Sequence, residues 1–533
     1  MEKVDDLFLS FSDMEKYNLF VNIIEMKQKE TTPAKLLDCM ADRKQHITDI
    51  NIKQVAELLG RSYGSIYNTY MGLISDLNNL LGTKDADLET LFNVEANEYY
   101  AYLTKRSYPY QFIDTIVQGK TTSFRDFYTN LGSSKATVLR HLKTMRHFLK
   151  ERGIRMTYEP MGLVSKNELS VRIALTSLYW RAGSTYTWPF KDTKRQDAIK
   201  LVKGAAKDFD FAAQSEGVLS LMALYFMVSY FRIRNGRLVD PKKFHSILHY
   251  AFPNLLKEYL EAYPAPELHL DEDQMMEETS GLFLVYSLIP LYSETNKLTV
   301  TKFLQKIDYY NQEIADFINT FLDNLPLEEH DALSKTAIDM QVIKANLIAI
   351  FIGTVSFDNP KMFLFNTDDQ MALNAQPQTN SALYRSLRNT LSHVVMYPKF
   401  SQYKPLIDDM LPIFYAVLKP YLVLYRPEST VNVFIAVLPS FFDNSRLEQM
   451  LKSMAFVNIL DASDDLSTAD LMICSSIRSL PADVAPQAAV MTWRTGASSD
   501  LFGRLYGLLR QIQLNKEQVP NMAHVDPTRS KES

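Results

Sequence analysis

The sequence predicts a mainly α, multidomain protein. It has tandem helix-turn-helix modules, the second of them winged, then two helical bundles and a C-terminal parallel α/β domain. Three observations carry this reading. A helix–glycine–helix text followed by hairpin text runs from Thr122 to Val164, and a weaker copy runs from Ile52 to Leu73. From about Lys191 to Tyr421 apolar residues recur at helical spacing. The blocks are divided by breakers such as Asn235-Gly236, Tyr263-Pro264-Ala265-Pro266, Asn324-Leu325-Pro326 and Asp358-Asn359-Pro360. After Pro427 short apolar runs of strand length alternate with helical ones.

The expected organisation follows from these boundaries. Residues 1–95 form a first helix-turn-helix module, 96–190 a winged second module, 191–295 and 296–425 two bundles, 426–514 the α/β domain and 515–533 a polar tail. A chain of 533 residues is too long for one core. Its 46% hydrophobic and 22% charged residues are those of a folded globular protein, and 17 glycines favour helices over turn-rich sheets.

In the first module Ile52–Leu59 reads as a helix, Gly60-Arg61 as the turn, and Ser62, Ser65, Ile66, Tyr70 and Leu73 as the next helix. Only Arg61 supplies a cation near the start of that helix, and Asp76, Asp85, Asp87 and Glu89 follow. This fits positioning or dimerisation as well as DNA contact.

The second module is sharper. Thr122–Leu131 reads as a helix, Gly132 tolerates a positive φ, and Ser133–Lys143 opens a second helix. Val138, Leu142, Met145 and Leu149 recur at i, i+4, i+7 and i+11, so they share a buried face. Ser134, Lys135, Thr137, Arg140 and Lys143 fall on the remaining surface, where a recognition helix carries groups for base edges and phosphates. Gly153–Tyr158, a Glu-Pro-Met-Gly turn and Leu163-Val164 suit a hairpin wing. Between Lys120 and Arg155 nine Lys and Arg face only Asp126 and Glu151, in a chain of net charge −5. A basic island in an acidic protein is the footprint of a phosphate-binding surface. Lys135, Thr137 and Arg140 are expected at bases, and Lys143, Arg146 and Arg155 at phosphates.

In the α/β segment the expected strands are Val431–Val437, Val457–Leu460, Leu471–Cys474 and Ala488–Trp493, with helices near 444–454 and 500–513. Continuous apolar strands imply a sheet covered on both faces.

Other chemistry is sparse. Cys39 and Cys474 stand far apart without metal-ligand spacing, which argues against a disulfide framework or zinc site and fits a reducing cytoplasm. No Gly-x-x-x-x-Gly-Lys-Ser/Thr, His-Glu-x-x-His or Gly-x-Ser-x-Gly occurs, so no enzyme, catalytic residue, metal or cofactor is expected. The cluster Asp271-Glu272-Asp273 with Glu277-Glu278 reads as a solvated helix start. The first residues lack the pattern of a signal peptide, and the apolar run Leu219–Phe231 is too short to span a bilayer. A cytoplasmic protein is expected.

Asn167-Glu168-Leu169-Ser170-Val171-Arg172 and Thr187-Trp188-Pro189-Phe190, in this order after the wing, resemble the signatures of the Mga/AtxA class of Gram-positive virulence and global transcription regulators. Lys166 stands where the first signature has glycine. The resemblance implies a promoter-binding regulator with two PRD-like bundles governed by phosphotransferase-system histidine phosphorylation. It also implies a C-terminal EIIB-like domain, a homodimer through that domain, and a phosphocarrier partner. His245, His249 and His269 are the candidates in the first bundle, and His330 and His393 in the second. His245 adjoins Lys242 and Lys243, and His393 follows Arg385 and Arg388, cations that would steady a phosphate. The histidine that precedes an arginine by two helical turns in related bundles is replaced before Arg232 by an aromatic residue. The EIIB-like loop Leu438–Asp443 has no cysteine, which argues against a phosphocarrier. An RNA-binding antiterminator with similar bundles, or a non-enzymatic phosphotransferase-linked sensor, is the alternative. The helical text before Lys120 disfavours the antiterminator, which would begin with a β-rich domain.

Overall fold

The computed structural model describes residues 6–31, 35, 39, 41, 46–121, 123–183, 187–191, 193–209, 211, 215–239, 248, 269–288, 292, 297–326, 340–357, 382–422, 430–437, 441–454, 456–461, 463–476, 487–493 and 499–518. Among them are 20 α-helices, a two-stranded hairpin and a four-stranded parallel sheet, so the chain is mainly α and multidomain. It divides into two compact units, Met1–Ile289 with Ser356–Gln370, and Pro290–Val355 with Met371–Ser533.

The first unit begins with α1 (Phe11–Glu30), α2 (Ile52–Leu58), α3 (Tyr63–Leu81), α4 (Leu88–Phe92) and α5 (Ala96–Arg106). These helices make the first module, with Phe20, Ile23, Val55, Ile66, Leu73, Leu77, Phe92 and Tyr99 in its core, so α5 packs with it rather than with the second module. Ser62 caps α3 by accepting from the Ser65 N–H, and Gly60 takes the left-handed φ of +62° that the turn requires. Inside this module Asp76 accepts from Lys16, from Arg106 at 3.1 Å and from the Tyr99 hydroxyl at 3.3 Å, tying α1, α3 and α5 together.

The second module comprises α6 (Tyr108–Gln118), α7 (Phe124–Asn130), α8 (Lys135–His141), α9 (Lys143–Lys150), the hairpin β1 (Arg155–Tyr158) and β2 (Met161–Val164), and α10 (Glu168–Arg181). Val138, Leu142, Met145 and Leu149 are all fully buried, as their spacing demands. The single second helix expected there is instead two, because the chain turns at Leu142 between α8 and α9. The wing is antiparallel, with Arg155 opposite Val164 and Tyr158 opposite Met161. Met161 and Gly162 therefore belong to β2, leaving Glu159-Pro160 as the turn.

Bundle helices α11 (Arg195–Asp208), α12 (Glu216–Arg234) and α13 (Glu272–Leu288) complete what is described of this unit. Phe209, Phe211, Phe283 and Tyr286 interlock at ring distances of 5.1 to 6.3 Å. At the start of α13 Asp271, Glu272 and Asp273 are exposed, but Glu277 and Glu278 are 4% and 1% exposed. The solvated-cluster reading therefore fails for the last two. They lie one turn deeper, on the inner face of α13.

The second unit holds α14 (Lys297–Tyr310), α15 (Gln312–Asp323), most of α16 (Met340–Phe357), α17 (Ala382–Val394), a 3-10 segment (Pro398–Leu406) and α18 (Ile407–Leu422). Phe317 of α15 and Phe351 of α16 stack at 4.3 Å, with Phe400 and Tyr403 of the 3-10 segment edge-on to Phe317. Helices α12 and α16 are long and apolar enough to cross a membrane, so the expectation that the Leu219–Phe231 run is too short does not hold for α12, which runs three residues further at each end. Their apolar windows are 83% and 67% buried within the protein. Core helices of a bundle look the same by composition.

The α/β part holds β3 (Val431–Ala436), α19 (Phe441–Lys452), β4 (Val457–Leu460), β5 (Leu471–Cys474), β6 (Ala489–Thr492) and α20 (Ser499–Gln518), with strand order β4-β3-β5-β6, all parallel. Both helices cover one face, where Leu447, Leu451, Leu505 and Leu509 meet Val431, Val433, Leu471 and Ile473. Phe434, Leu460 and Met472 are buried on the other. Cys474 ends β5 fully buried, and burial pushes its thiol above the ordinary value. Leu438, Pro439 and Ser440 lie outside the described residues, and Phe441 to Asp443 already belong to α19.

Candidate nucleic-acid interface

Short-range rules build the recognition element. Ser123 caps α7 by accepting from the Asp126 N–H at 3.2 Å, and Ser134 caps α8 by accepting from the Thr137 N–H at 3.1 Å. Gly132 between them has φ +60°, the left-handed turn that sets one helix across the other. Thr122 lies outside the described residues. From behind, Tyr108 of α6 reaches Ser133 with its hydroxyl at 3.1 Å and lays its ring 5.1 Å from that of His141. The wing is anchored by Tyr158, whose ring lies 4.8 Å from Phe124 and 6.2 Å from Phe112.

On this frame Ser134, Lys135, Arg140, Lys143, Arg146 and Arg155 are all exposed, and Thr137 is half-buried with its hydroxyl 2.9 Å from Ser134. None of the five cations makes an ion pair among the described residues. Arg125 and Lys150, two more of the nine cations between Lys120 and Arg155, are exposed as well. Two other cations of the island point elsewhere. Lys120 is bound to Asp114 at 2.5 Å. Arg152 is 3% exposed, its guanidinium 3.6 Å above the Phe148 ring, and burial followed by the nearby Arg181 charge pushes its pKa down to about 10. Aromatic packing had no signature in the charge count.

Arg61 in the first module is not comparable. It pairs with Glu15 at 2.8 Å and donates to the Ser65 hydroxyl at 2.9 Å, so its charge is already partnered.

The two signatures after the wing lie inside rather than on the interface. Asn167 caps α10 through the Leu169 N–H at 3.0 Å, and Arg172 is buried against Glu168 and Glu278. Phe190 stacks on Phe231 of α12 at 5.3 Å, and Trp188 donates to Thr193 at 2.9 Å. Sequence spacing located these residues but not their partner, Glu278, which comes 106 residues after Arg172.

Of the histidines, His245, His249 and His330 lie outside the described residues. His269 and His393 are exposed, and Tyr397 packs edge-on to His393 at 5.7 Å. Arg385 is exposed, whereas Arg388 is engaged by Asp408 at 2.9 Å. Two turns before Arg232 stands Tyr225, fully buried, and burial pushes its hydroxyl well up. Among the described residues no three His, Cys, Asp or Glu side chains group as a metal site.

A capped two-helix element with free cations, backed by an aromatic-anchored hairpin, is a winged helix-turn-helix module of the DNA-binding kind. Residues 92–179 match the family model described as the Mga helix-turn-helix domain. The match supports membership of the Mga/AtxA regulator family, and the chain is in general terms a DNA-binding transcriptional regulator. No curated protein matches the chain.

Proposed function

We propose that the chain binds promoter DNA through its second module as a dimer and is tuned by phosphotransferase-system phosphorylation. The observation that carries the DNA half is the set Lys135, Arg140, Lys143, Arg146 and Arg155, all exposed and without ion-pair partners among the described residues. Such cations lower the free energy of a phosphate-bearing duplex by releasing its counterions. In this reading α8 enters the major groove with Ser134, Lys135, Thr137 and Arg140 toward the bases, while the wing places Arg155 on the neighbouring backbone. The first module, with Arg61 neutralised, supports this surface. Mapping bound genomic fragments in the producing cell tests it, since a regulator enriches a few promoter regions and a non-specific binder enriches none.

The α/β domain is proposed as an EIIB-like dimerisation element rather than a phosphocarrier, and the bundles as PRD-like. Two modules held on one dimer raise each other's effective concentration on DNA. Truncation before Val431 is expected to give a more monomeric chain that binds DNA more weakly. An unchanged dimer in light scattering would move the interface into the bundles.

His393 is the proposed phosphate acceptor in the second bundle, with His245 the counterpart in the first. Phosphate adds roughly two negative charges beside Arg385, and it would compete with Asp408 for Arg388, which gives the switch a defined local move. A purified phosphorylated phosphocarrier of the phosphotransferase system is expected to label the wild type and not the His393→Ala, His245→Ala double variant. An unlabelled wild type would leave both histidines structural. The protein acts on DNA in the cytoplasm in this reading.

A further inference from the structure

The junction between the second module and the first bundle is closed by four charges, of which Arg172, Arg232 and Glu278 are buried and Glu168 is half-buried. Arg172 of α10 donates to the two Glu278 oxygens of α13 at 2.6 and 3.0 Å, to the Arg237 carbonyl at 2.8 Å and to Glu168 at 3.4 Å. Glu168 accepts two further bonds from Arg232 of α12, at 2.7 and 2.8 Å. Glu278 also takes the Val239 N–H at 2.8 Å. Two guanidiniums and two carboxylates thus balance, with Arg172 and Glu278 each 1% exposed.

Position gives this cluster a consequence for DNA binding. Helix α10 is capped at Asn167, three residues after β2 ends, so the angle of α10 sets the angle of the wing. The end of α12 also touches α6, where Asn235 donates to the Val117 carbonyl at 3.2 Å. Gly119, at φ +66°, leaves the space that a Cβ would take from the Asn235 amide. Helix α6 is the one that holds α8 through Tyr108. The wing and the recognition helix are therefore both seated on the same corner of the first bundle. An apolar seat tolerates sliding, but a buried bidentate ion pair holds one geometry, and loss of either partner strands a charge.

We infer that Arg172 is a positioning residue for DNA binding, clamped by Glu278 of the first bundle so that the wing and α8 meet the duplex at one fixed angle. The inference rests on the second module being the DNA surface. It makes the first bundle part of the DNA-binding body, and Glu278 the point through which a change in that bundle reaches the wing.

The test uses the full chain and a labelled random-sequence duplex. Glu278→Gln removes one charge and keeps an oxygen for the Val239 N–H. It is expected to weaken binding about tenfold per folded molecule, with the salt dependence unchanged because no phosphate contact is lost. It is also expected to speed hydrogen exchange across Met156–Val164, although the substitution lies on α13 and not in the hairpin. The pair Arg172→Met/Glu278→Gln removes both charges together and serves where the single variant folds poorly. It is expected to fold and still to bind weakly. Wild-type affinity per folded molecule with unchanged wing exchange, in either variant, overturns the inference and leaves a purely structural ion pair. Arg140→Ala is the control. If it too binds like wild type, the interface assignment fails, and the wing-exchange measurement alone then decides whether the clamp exists.

Discussion

The two helix-turn-helix modules are built on one apolar template and differ in what they show to solvent. Ser62 and Ser134 both cap the second helix, Gly60 and Gly132 both turn with positive φ, and Ile66 and Leu73 are buried like Val138 and Met145. Where the second module has Lys135, Arg140 and Lys143, the first has Tyr63, Asn68 and Met71. Tyr63 and Tyr67 stack at 5.8 Å on that exposed face. The shared buried positions fix the fold, and the unshared exposed ones decide whether a polyanion is welcome. A helix-turn-helix shape alone is therefore no evidence of base reading.

The largest expected effect that separates the modules is salt dependence. With about five phosphates neutralised by the second module, log K should fall against log salt with a slope near −4 to −5 per protomer. Replacing both Arg140 and Lys143 by Ala should flatten that slope by roughly two, while Arg61→Ala should leave it nearly unchanged. A flat response in the wild type would remove the basic surface from the argument and make the two modules equivalent.

Next in size is the cost of single cations. Arg140→Ala should cost about 1–3 kcal/mol of DNA binding if the guanidinium makes a paired base or phosphate contact. Arg61→Ala should cost less, because Glu15 already takes its charge and exposed ion pairs contribute only about 0–1 kcal/mol. Gel-shift titration at one fixed salt checks the ranking. Equal losses would mean that the first module reads DNA as strongly as the second.

Much of this was legible in the sequence because it is local. A cap bonds three residues ahead, a turn glycine acts in place, and an amphipathic face repeats every three or four residues. So the starts of the module helices, Gly132, the wing strands and the four strands of the parallel sheet all stand within a residue or two of where spacing puts them. What was not legible depends on distant partners. Glu277 and Glu278 look like a hydrophilic helix start until Arg172 and Val239 arrive from elsewhere in the chain. Lys120 and Arg152 count as surface cations until Asp114 and Phe148 claim them. The break at Leu142 is hidden for a related reason, since the apolar spacing runs through it unchanged and no glycine or proline marks it.

The smallest expected effect is proton-linked, and it sits at one matched position of the two modules. His141 closes α8 beside Arg140, whereas the matching position of the first module is Thr69, which bonds the Ser65 carbonyl at 3.1 Å and does not titrate. Burial first, and the Arg140 charge second, hold the His141 imidazole below its ordinary value of 6.5. The unfolded chain then binds the proton at a higher pH than the folded one. Stability from this group is complete above about 6.5 and declines as pH falls through that value toward the lower folded pKa. His141 is half-exposed, so the decline should be modest. Melting midpoints at pH 7.5 and 5.5, about one unit either side of the ordinary value, should fall further for the wild type than for His141→Gln. DNA supplies phosphates that favour the charged imidazole, so bound duplex should shrink the difference. An equal pH response in the two proteins without DNA would place His141 in open solvent, away from Arg140, and would loosen the seating of α8 on Tyr108.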